Sequence, residues 1–476
     1  MKVCRRLFLE RLTAAAGMAA FGGTISNSAL LNGAVSGDAK LKLGILSDIH
    51  LCGPGSEKSF VKALTWFKNR GVDGVIVAGD MADRGLLSEL QLVGDSWYSV
   101  FPNDKAEDGR RVEKLFVYGN HDMEGFTYGK HSPQELVKLR EKSVVKDMTG
   151  AWEKCFREPF APIYSKTIKG YTFIGMHWGN ASHLKDFVGG LAPKLDPSLP
   201  LFYAQHAHPK NTCYGSWAWG AWDDQGAATA AFSSHPNAIA FSGHSHYSLT
   251  DERGIWQGEF TSIGTSSLSY IGMPYGRENG GTDNQKILQH MPQMATHIGK
   301  QGMLLSVFGD RIVIERHEFV YDESLGSDWV LPLPCRDQRD MPFTFQKRAA
   351  QSIAPEFASG AKVTLSNGKG KNEKGKEEEQ ITVSFPAAVF HNARDRVFDY
   401  EVQMQVLECD TVKPFCTKRV FAKDFFLSDA RMGKTGCCVF ALEELPKDVS
   451  FRFAVRPIEC FGKMGSAIYS EEKRLT

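Results

Sequence analysis

The chain has 476 residues, 42% of them hydrophobic and 23% charged, the balance of an ordinary globular protein with room for two or three domains. A formal net charge of +1 argues against a binding surface built on bulk basicity, so no nucleic-acid polymer is expected as a partner.

The N-terminal run "MKVCRRLFLERLTAAAGMAAFGG" places basic residues first, then a weakly apolar stretch, then small residues. Arg5 and Arg6 followed by "LFLE" resemble a bacterial twin-arginine signal, with Glu10 where that pattern often has lysine. The expectation is an export signal over residues 1–36 and a periplasmic or cell-surface location in a bacterium. Twin-arginine export carries folded proteins. The apolar stretch is too short to span a bilayer, and no other segment is long and apolar enough, so no transmembrane segment is expected. There are ten cysteines, and removal of Cys4 with the signal leaves an odd number, so not all can pair internally. Cys409 and Cys416 could pair in an oxidising compartment. Most of the others read as buried thiols.

From Leu41 to about Phe345, short apolar runs end in polar or glycine-rich turns. "LKLGIL", "GVDGVIVA", "KLFVYG", "YTFIGM", "PLFYA", "NAIAFSG" and "GEFTSIG" read as buried strands, and "GMLLSVFGDRIVIERHEF" as a hairpin turning at "GDR". "SEKSFVKALTWFKNR" and "SPQELVKLREKSVVKDM" have helical spacing. After "QKRAAQSIAPEF" helical signals fade. About seven strand-like runs follow, including "AKVTLS", "QITVSFPAA", "RVFDYEVQMQVLE", "KRVFAKDFF", "CCVFAL" and "VSFRFAVRPIECFG". The pattern predicts an α+β chain: a layered domain over 38–348 and a smaller all-β sandwich over 352–476. The ending "LPKDVSFRFAVRPIECFGKMGSAI" resembles the last two strands of a fibronectin type III domain, with Phe451 where that family usually has tyrosine. The charged run "SNGKGKNEKGKEEEQ" reads as a solvated hairpin loop.

The chemistry sits at the strand ends. "GILSDIH" ends in Asp48 and His50, "VIVAGDMADRG" carries Asp80, and "LFVYGNHD" ends in Asn120, His121 and Asp122. "LFYAQHAHP" ends in His206 and His208, and "AIAFSGHSH" in His244 and His246. An α/β scaffold can bring such ends together from distant positions. Carboxylates and imidazoles without thiolates suit manganese, iron or zinc. Asn120 adds a neutral oxygen, which limits negative charge where an anionic phosphate would bind. Each motif alone is common by chance, whereas the ordered set is not.

That set resembles the calcineurin-like metallophosphoesterase family over roughly residues 40–345. The matching motifs are Asp-x-His at 48–50, Gly-Asp at 79–80, Gly-Asn-His-Asp at 119–122, a later strand-end histidine and Gly-His-x-His at 243–246. The resemblance implies a four-layer αββα sandwich with two divalent ions at the strand ends. It implies hydrolysis of a small-molecule phosphomonoester or phosphodiester by a metal-activated hydroxide. Asp48, His50 and His246 would hold one ion, and Asn120, His244 and a fourth-motif histidine the other, with Asp80 bridging. His121 would protonate the leaving group or donate a hydrogen bond to the phosphoryl oxygen, and Asp122 would orient His121 and keep it basic. His206, directly after its apolar run, fits the fourth motif best, with His208 and His177 as the other candidates. Arg84 in "GDMADRG" would bind the substrate phosphate, or would pair with Asp83 at the surface. The loop "CYGSWAWGAWDD" could stack on a substrate or form a local core. "GTSSLSYIGMPY" follows the last motif and is expected to border the pocket. Cys52 reads as packing. The alternative to an enzyme is an exported binding module that keeps the metal-bound fold without significant catalysis.

Overall fold

In a computed structural model the described residues are 38–216, 221–273, 294–371, 375–408 and 411–474. The expected export signal and Cys409 lie outside them. β1 (Leu41–Leu46), α1 (Lys58–Asn69), β2 (Gly74–Ala78), α2 (Leu87–Val100) and β3 (Glu113–Val117) form a parallel βαβαβ run. Three helices follow: α3 (Asn120–Glu124), α4 (Pro133–Lys142) and α5 (Met148–Phe156). β4 (Ile163–Ile168), β5 (Tyr171–Met176), α6 (Leu184–Leu191), β6 (Leu201–Ala204), α7 (Ala227–Phe232), β7 (Ala238–Ser242), β8 (Ile255–Gln257) and β9 (Thr261–Gly264) make a second unit, with β5, β6, β7 and β9 parallel. β10 (Ile271–Met273) pairs with β11 (Met294–Thr296). β12 (Gln301–Val307), β13 (Arg311–Glu318), β14 (Glu323–Ser324) and β15 (Trp329–Pro332) return to the first sheet.

The two large sheets run β14-β13-β12-β1-β2-β3, with β15 also on β13, and β4-β5-β6-β7-β9-β8. Their inner faces share one core: Leu43, Ile45, Ile76 and Val117 meet Phe173, Phe202, Ile239 and Phe241. Phe60, Leu64 and Phe67 of α1 cover the outer face of the first sheet, and Leu184, Val188 and Phe232 cover the outer face of the second. Four layers, helix–sheet–sheet–helix, result. The central strands are buried on both faces, which explains their unbroken apolar sequences. The helical pattern expected over 132–148 stops at Lys142. There the N–H of Val144 is taken by the carbonyl of Gly85 at 2.9 Å instead of continuing the helix.

A short helix, Phe345–Gln351, leads into eight antiparallel strands: β16 (Thr364–Lys371), β17 (Glu377–Pro386), β18 (Val397–Glu408), β19 (Thr411–Phe421), β20 (Thr435–Ala441), β21 (Ser450–Glu459), β22 (Ile468–Tyr469) and β23 (Lys473–Arg474). They form sheets β16-β17-β20 and β19-β18-β21-β22, with β23 also on β21. The charged run around residue 370 is less of a loop than expected. The strands continue into it, with Lys369 opposite Glu379 and Lys371 opposite Glu377. Opposite charges across a strand pair favour that extension. Among the described residues no helix is long and apolar enough to cross a membrane, and the cysteines are free.

Candidate metal centre

The C-terminal ends of β1, β2, β3, β6 and β7 converge between the two sheets. The chain leaves these ends in tight turns that aim side chains inward. Asp48, His50, Asp80, His244 and His246 all adopt left-handed backbone, with φ between 49° and 69°. Such conformations cost about 1–3 kcal/mol each and persist where the surroundings over-determine them. Backbone bonds supply that constraint: the N–H of Asp48 donates to Gly79 O and that of His50 to Asp80 O, both at 3.0 Å. Gly243 lies so close to the first sheet that a Cβ there would collide with the side chains of Ser47 and Asp48.

Three imidazoles are fixed in the same sense. His50 Nδ1 lies 3.2 Å from Asp83 Oδ1, His206 Nδ1 2.8 Å from Ala78 O, and His246 Nδ1 3.0 Å from Tyr270 O. An Nδ1–H that donates outward leaves Nε2 as a lone pair facing inward. His246 Nε2 faces Asp48 Oδ1 at 2.9 Å and His50 Nε2 at 3.3 Å. His206 Nε2 faces Asp80 Oδ2 at 3.0 Å and His244 Nδ1 at 3.2 Å. Asp48, His50, Asp80 and His246 offer ligand atoms within 4.8 Å of one another, as do Asp80, His206 and His244.

Lone pairs cannot face buried carboxylates at these distances without a cation between them. Burial alone would raise the Asp48 carboxyl, but His246 and His206 hold it at about 2. Asp80, equally buried, is held below the usual carboxylate range by His206 and His50. Burial would lower His206, but Asp80 and Asp48 hold it at about 9. Burial drives His244 down to about 4 and His50 below its ordinary value. A divalent ion answers the same demand as a shared proton. One further atom points the same way: Asn120 Oδ1 is buried with no hydrogen-bond partner among the described residues, while its amide donates to the Tyr128 hydroxyl at 3.0 Å. The residues present therefore fit a divalent metal centre.

Of the three histidines open for the fourth strand end, the structure brings His206 into the cluster. His208 is buried behind it, with Nδ1 2.8 Å from Ser242 Oγ and Nε2 2.8 Å from Ser245 Oγ. His177 accepts from the Tyr118 N–H at 2.8 Å inside an aromatic box of Tyr118, Trp152 and Phe160. His121 lies at the rim, with its ring edge-on to His50 at 4.5 Å.

The expected pairing of Asp122 with His121 is not formed. The Asp122 carboxylate accepts from the N–H groups of Met81, Ala82 and Gly119 at 3.1, 2.7 and 2.9 Å. Burial and the Asp80 charge push it up to about 7 against those bonds. His121 Nδ1 instead donates to the Asp83 carbonyl at 2.7 Å. The surface pair of Arg84 with Asp83 is replaced by one with Glu89: Arg84 Nε donates to Glu89 Oε1 at 2.8 Å, and an amino group reaches Cys52 O at 3.2 Å. Cys52 is exposed rather than packed. Tyr214 of the aromatic loop is buried, Trp222 is exposed, and Trp217 and Trp219 lie outside the described residues. Tyr270 borders the cluster, its ring 4.0 Å from that of His246. Sequence reasoning missed Asp83 and Tyr128 as partners of the cluster, and Trp178, whose ring lies 5.5 Å from that of His244.

Residues 41–248 match the family model for calcineurin-like phosphoesterase. Among solved structures, the purple acid phosphatase PPD1 from yellow lupin seeds is 14% identical, with 63% of this chain and 54% of that one covered and a TM-score of 0.41. GAP50, the anchor in the inner membrane complex of Plasmodium, is 13% identical, with 62% and 88% covered and a TM-score of 0.37. A predicted phosphoesterase from Streptococcus pneumoniae is 14% identical, with 61% and 97% covered and a TM-score of 0.25. No curated protein matches the chain. The cluster of buried aspartates and histidines lies at strand ends within the matched residues 41–248.

Proposed function

We propose that the chain is an exported phosphoesterase that holds two divalent ions, manganese, iron or zinc, and hydrolyses a small-molecule phosphoester. The observation that carries this reading is the set of inward Nε2 lone pairs facing buried Asp48 and Asp80 beside the unpartnered Asn120 oxygen. Asp48, His50 and His246 would hold one ion, Asn120, His206 and His244 the other, with Asp80 shared. Such ions supply Lewis acidity toward phosphoryl oxygens and make water a nucleophile at neutral pH. Around them the chain's own groups have separable tasks. The Nδ1–H of His121 is committed to Asp83 O, which leaves Nε2 to carry a proton for the leaving oxygen. Its side chain is 26% exposed, so substrate can reach it. Asp122 holds the Gly119 turn against the one after Asp80 through its three backbone bonds, and so sets the position of Asn120 and His121. Glu89 fixes Arg84, and a phosphate contact would use the amino group left over. The "RRLFLE" signal supports export to the periplasm or cell surface. Two facing antiparallel sheets support likening the C-terminal region to fibronectin type III.

The test is hydrolysis of para-nitrophenyl phosphate and bis(para-nitrophenyl) phosphate with manganese, before and after chelation. The expected result is activity that chelation abolishes and manganese restores, with the ratio of the two rates giving the ester preference. A protein that binds two ions and turns over neither would instead be a binding module.

A further inference from the structure

The loop that carries His244 and His246 continues away from the cluster into the C-terminal sandwich. Tyr247 is buried and lies against Tyr214, with ring centroids 4.8 Å apart. Both belong to one apolar core with Phe398, Phe425 and Phe426. Thr250 Oγ1 donates to the Phe425 carbonyl at 2.8 Å. Gln301, fully buried at the start of β12, joins the parts. Its amide nitrogen donates to the Phe426 carbonyl at 2.6 Å. Its amide oxygen accepts from the Leu249 N–H at 2.8 Å, the Ser266 hydroxyl at 3.0 Å and the Ser248 hydroxyl at 3.2 Å.

These contacts reach His246 from two sides. Leu249 lies three residues beyond it on the same loop. Ser266 begins the segment that leads to Tyr270, whose carbonyl sets the His246 tautomer, and Ile271 next to it lies in the sandwich core. The ligand positions other than His246 are anchored within the two large sheets, so among the described residues only His246 takes its tautomer partner from the segment tied to the sandwich. His206 is fixed by Ala78 and His50 by Asp83, and the N–H of His244 lies 3.1 Å from the Asp48 carboxylate.

We propose that the C-terminal sandwich is a working part of the metal centre: through Gln301 it positions the His246 loop, and it governs the ion at Asp48, His50 and His246 more than the ion at Asn120, His206 and His244. Gln301 is a positioning residue, since it touches neither ion nor substrate. The inference rests on the two-ion reading of the centre. Groups that orient a metal-binding imidazole typically change affinity about 10–100-fold when removed.

The experiment uses the full chain, manganese as the probe, and Gln301→Met, which keeps volume and removes both hydrogen-bonding functions. Manganese stoichiometry and affinity are measured by equilibrium dialysis against a chelator. Phe440→Leu, which loosens the sandwich core where Phe440 meets Phe453, is the control for simple loss of stability. In the expected result, Gln301→Met weakens one manganese equivalent about 10–100-fold and spares the other. Phe440→Leu lowers Tm and leaves both affinities intact. If Gln301→Met fails to fold, Thr250→Val removes the Phe425 link, together with the 2.8 Å contact to the Ser248 hydroxyl, and is expected to weaken the same single ion. A wild type that binds two ions while the variants bind both at wild-type affinity, or lose both equally, overturns this inference alone. A wild type that binds fewer than two overturns the reading of the centre as well.

Discussion

An imidazole presents a lone pair to a metal only where its other nitrogen is held, so the residues behind the ligands matter as much as the ligands. Asp83 has this place twice: its carboxylate faces His50 Nδ1, and its backbone carbonyl takes His121 Nδ1. The His50 contact holds the Asp83 carboxyl below its ordinary value. Asp83→Ala is therefore expected to weaken manganese binding about 10-fold while leaving the His121 contact, which is to backbone. Asp83→Asn keeps an acceptor oxygen and is expected to recover most of the affinity. Manganese titration of both variants checks this, and wild-type affinity in Asp83→Ala would remove the assigned role. The residues of the cluster and their order were legible because each follows an apolar run. The supporting roles were not. Asp122 stands next to His121 in sequence, but neighbours on a helix point apart. In a turn opening on Gly119, an acid three residues on folds back onto the free N–H groups instead. Asp83, four residues before the start of α2, carries no periodic signal that would mark it.

At the scale of elements, the parallel strands were readable because burial on both faces demands unbroken apolar runs. The helices were less so. α2 contains Gly94, which reads as a weak helix former, yet a Cβ there would collide with the Cys155 carbonyl, so glycine permits the close approach of α5. α4 ends where another backbone group captures Val144, a contact no local pattern announces. Turn geometry decides the site most sharply at Gly243, where the end of β7 passes over Ser47 and Asp48. Gly243→Ala must push β7 and β1 apart or displace Asp48. It is expected to fold with the wild-type circular dichroism spectrum but to lose bound manganese and at least about 100-fold in kcat/KM, about 2.7 kcal/mol of transition-state stabilisation. Unchanged metal content would mean that the turn yields without cost and that its closeness is incidental.

For the whole molecule, the change from mixed layers to antiparallel strands near residue 351 was visible in composition. The core shared across that change was not, because Tyr214, Tyr247 and Ile271 are loop aromatics and aliphatics with no periodicity. Residues 39–476 form one compact unit. Part of what joins it is a buried ionic knot. Glu252, six residues beyond His246, accepts from Arg316 of β13 at 2.8 Å and also from Arg348 of the helix before the sandwich. The Arg348 guanidinium lies 5.5 Å from the Phe461 ring of the sandwich, and Trp329 Nε1 donates to Glu252 at 3.1 Å. Removing one partner of such a group leaves charge buried and uncompensated, at about 3–5 kcal/mol. Glu252→Gln should therefore lower Tm at neutral pH. Its pH dependence follows from the direction of the shift. Burial would raise Glu252, but Arg316 and Arg348 bring it below the usual 4.5. A carboxyl whose folded pKa is depressed contributes stability that is complete above its unfolded pKa and lost as pH falls through the folded one. The Tm gap between wild type and Glu252→Gln should thus be widest at neutral pH and begin to close below 4.5. Metal loss on acidification affects both proteins alike and cancels in the difference. A gap that stays constant into the acid range would mean that the arginines are held by their aromatic neighbours and not by Glu252.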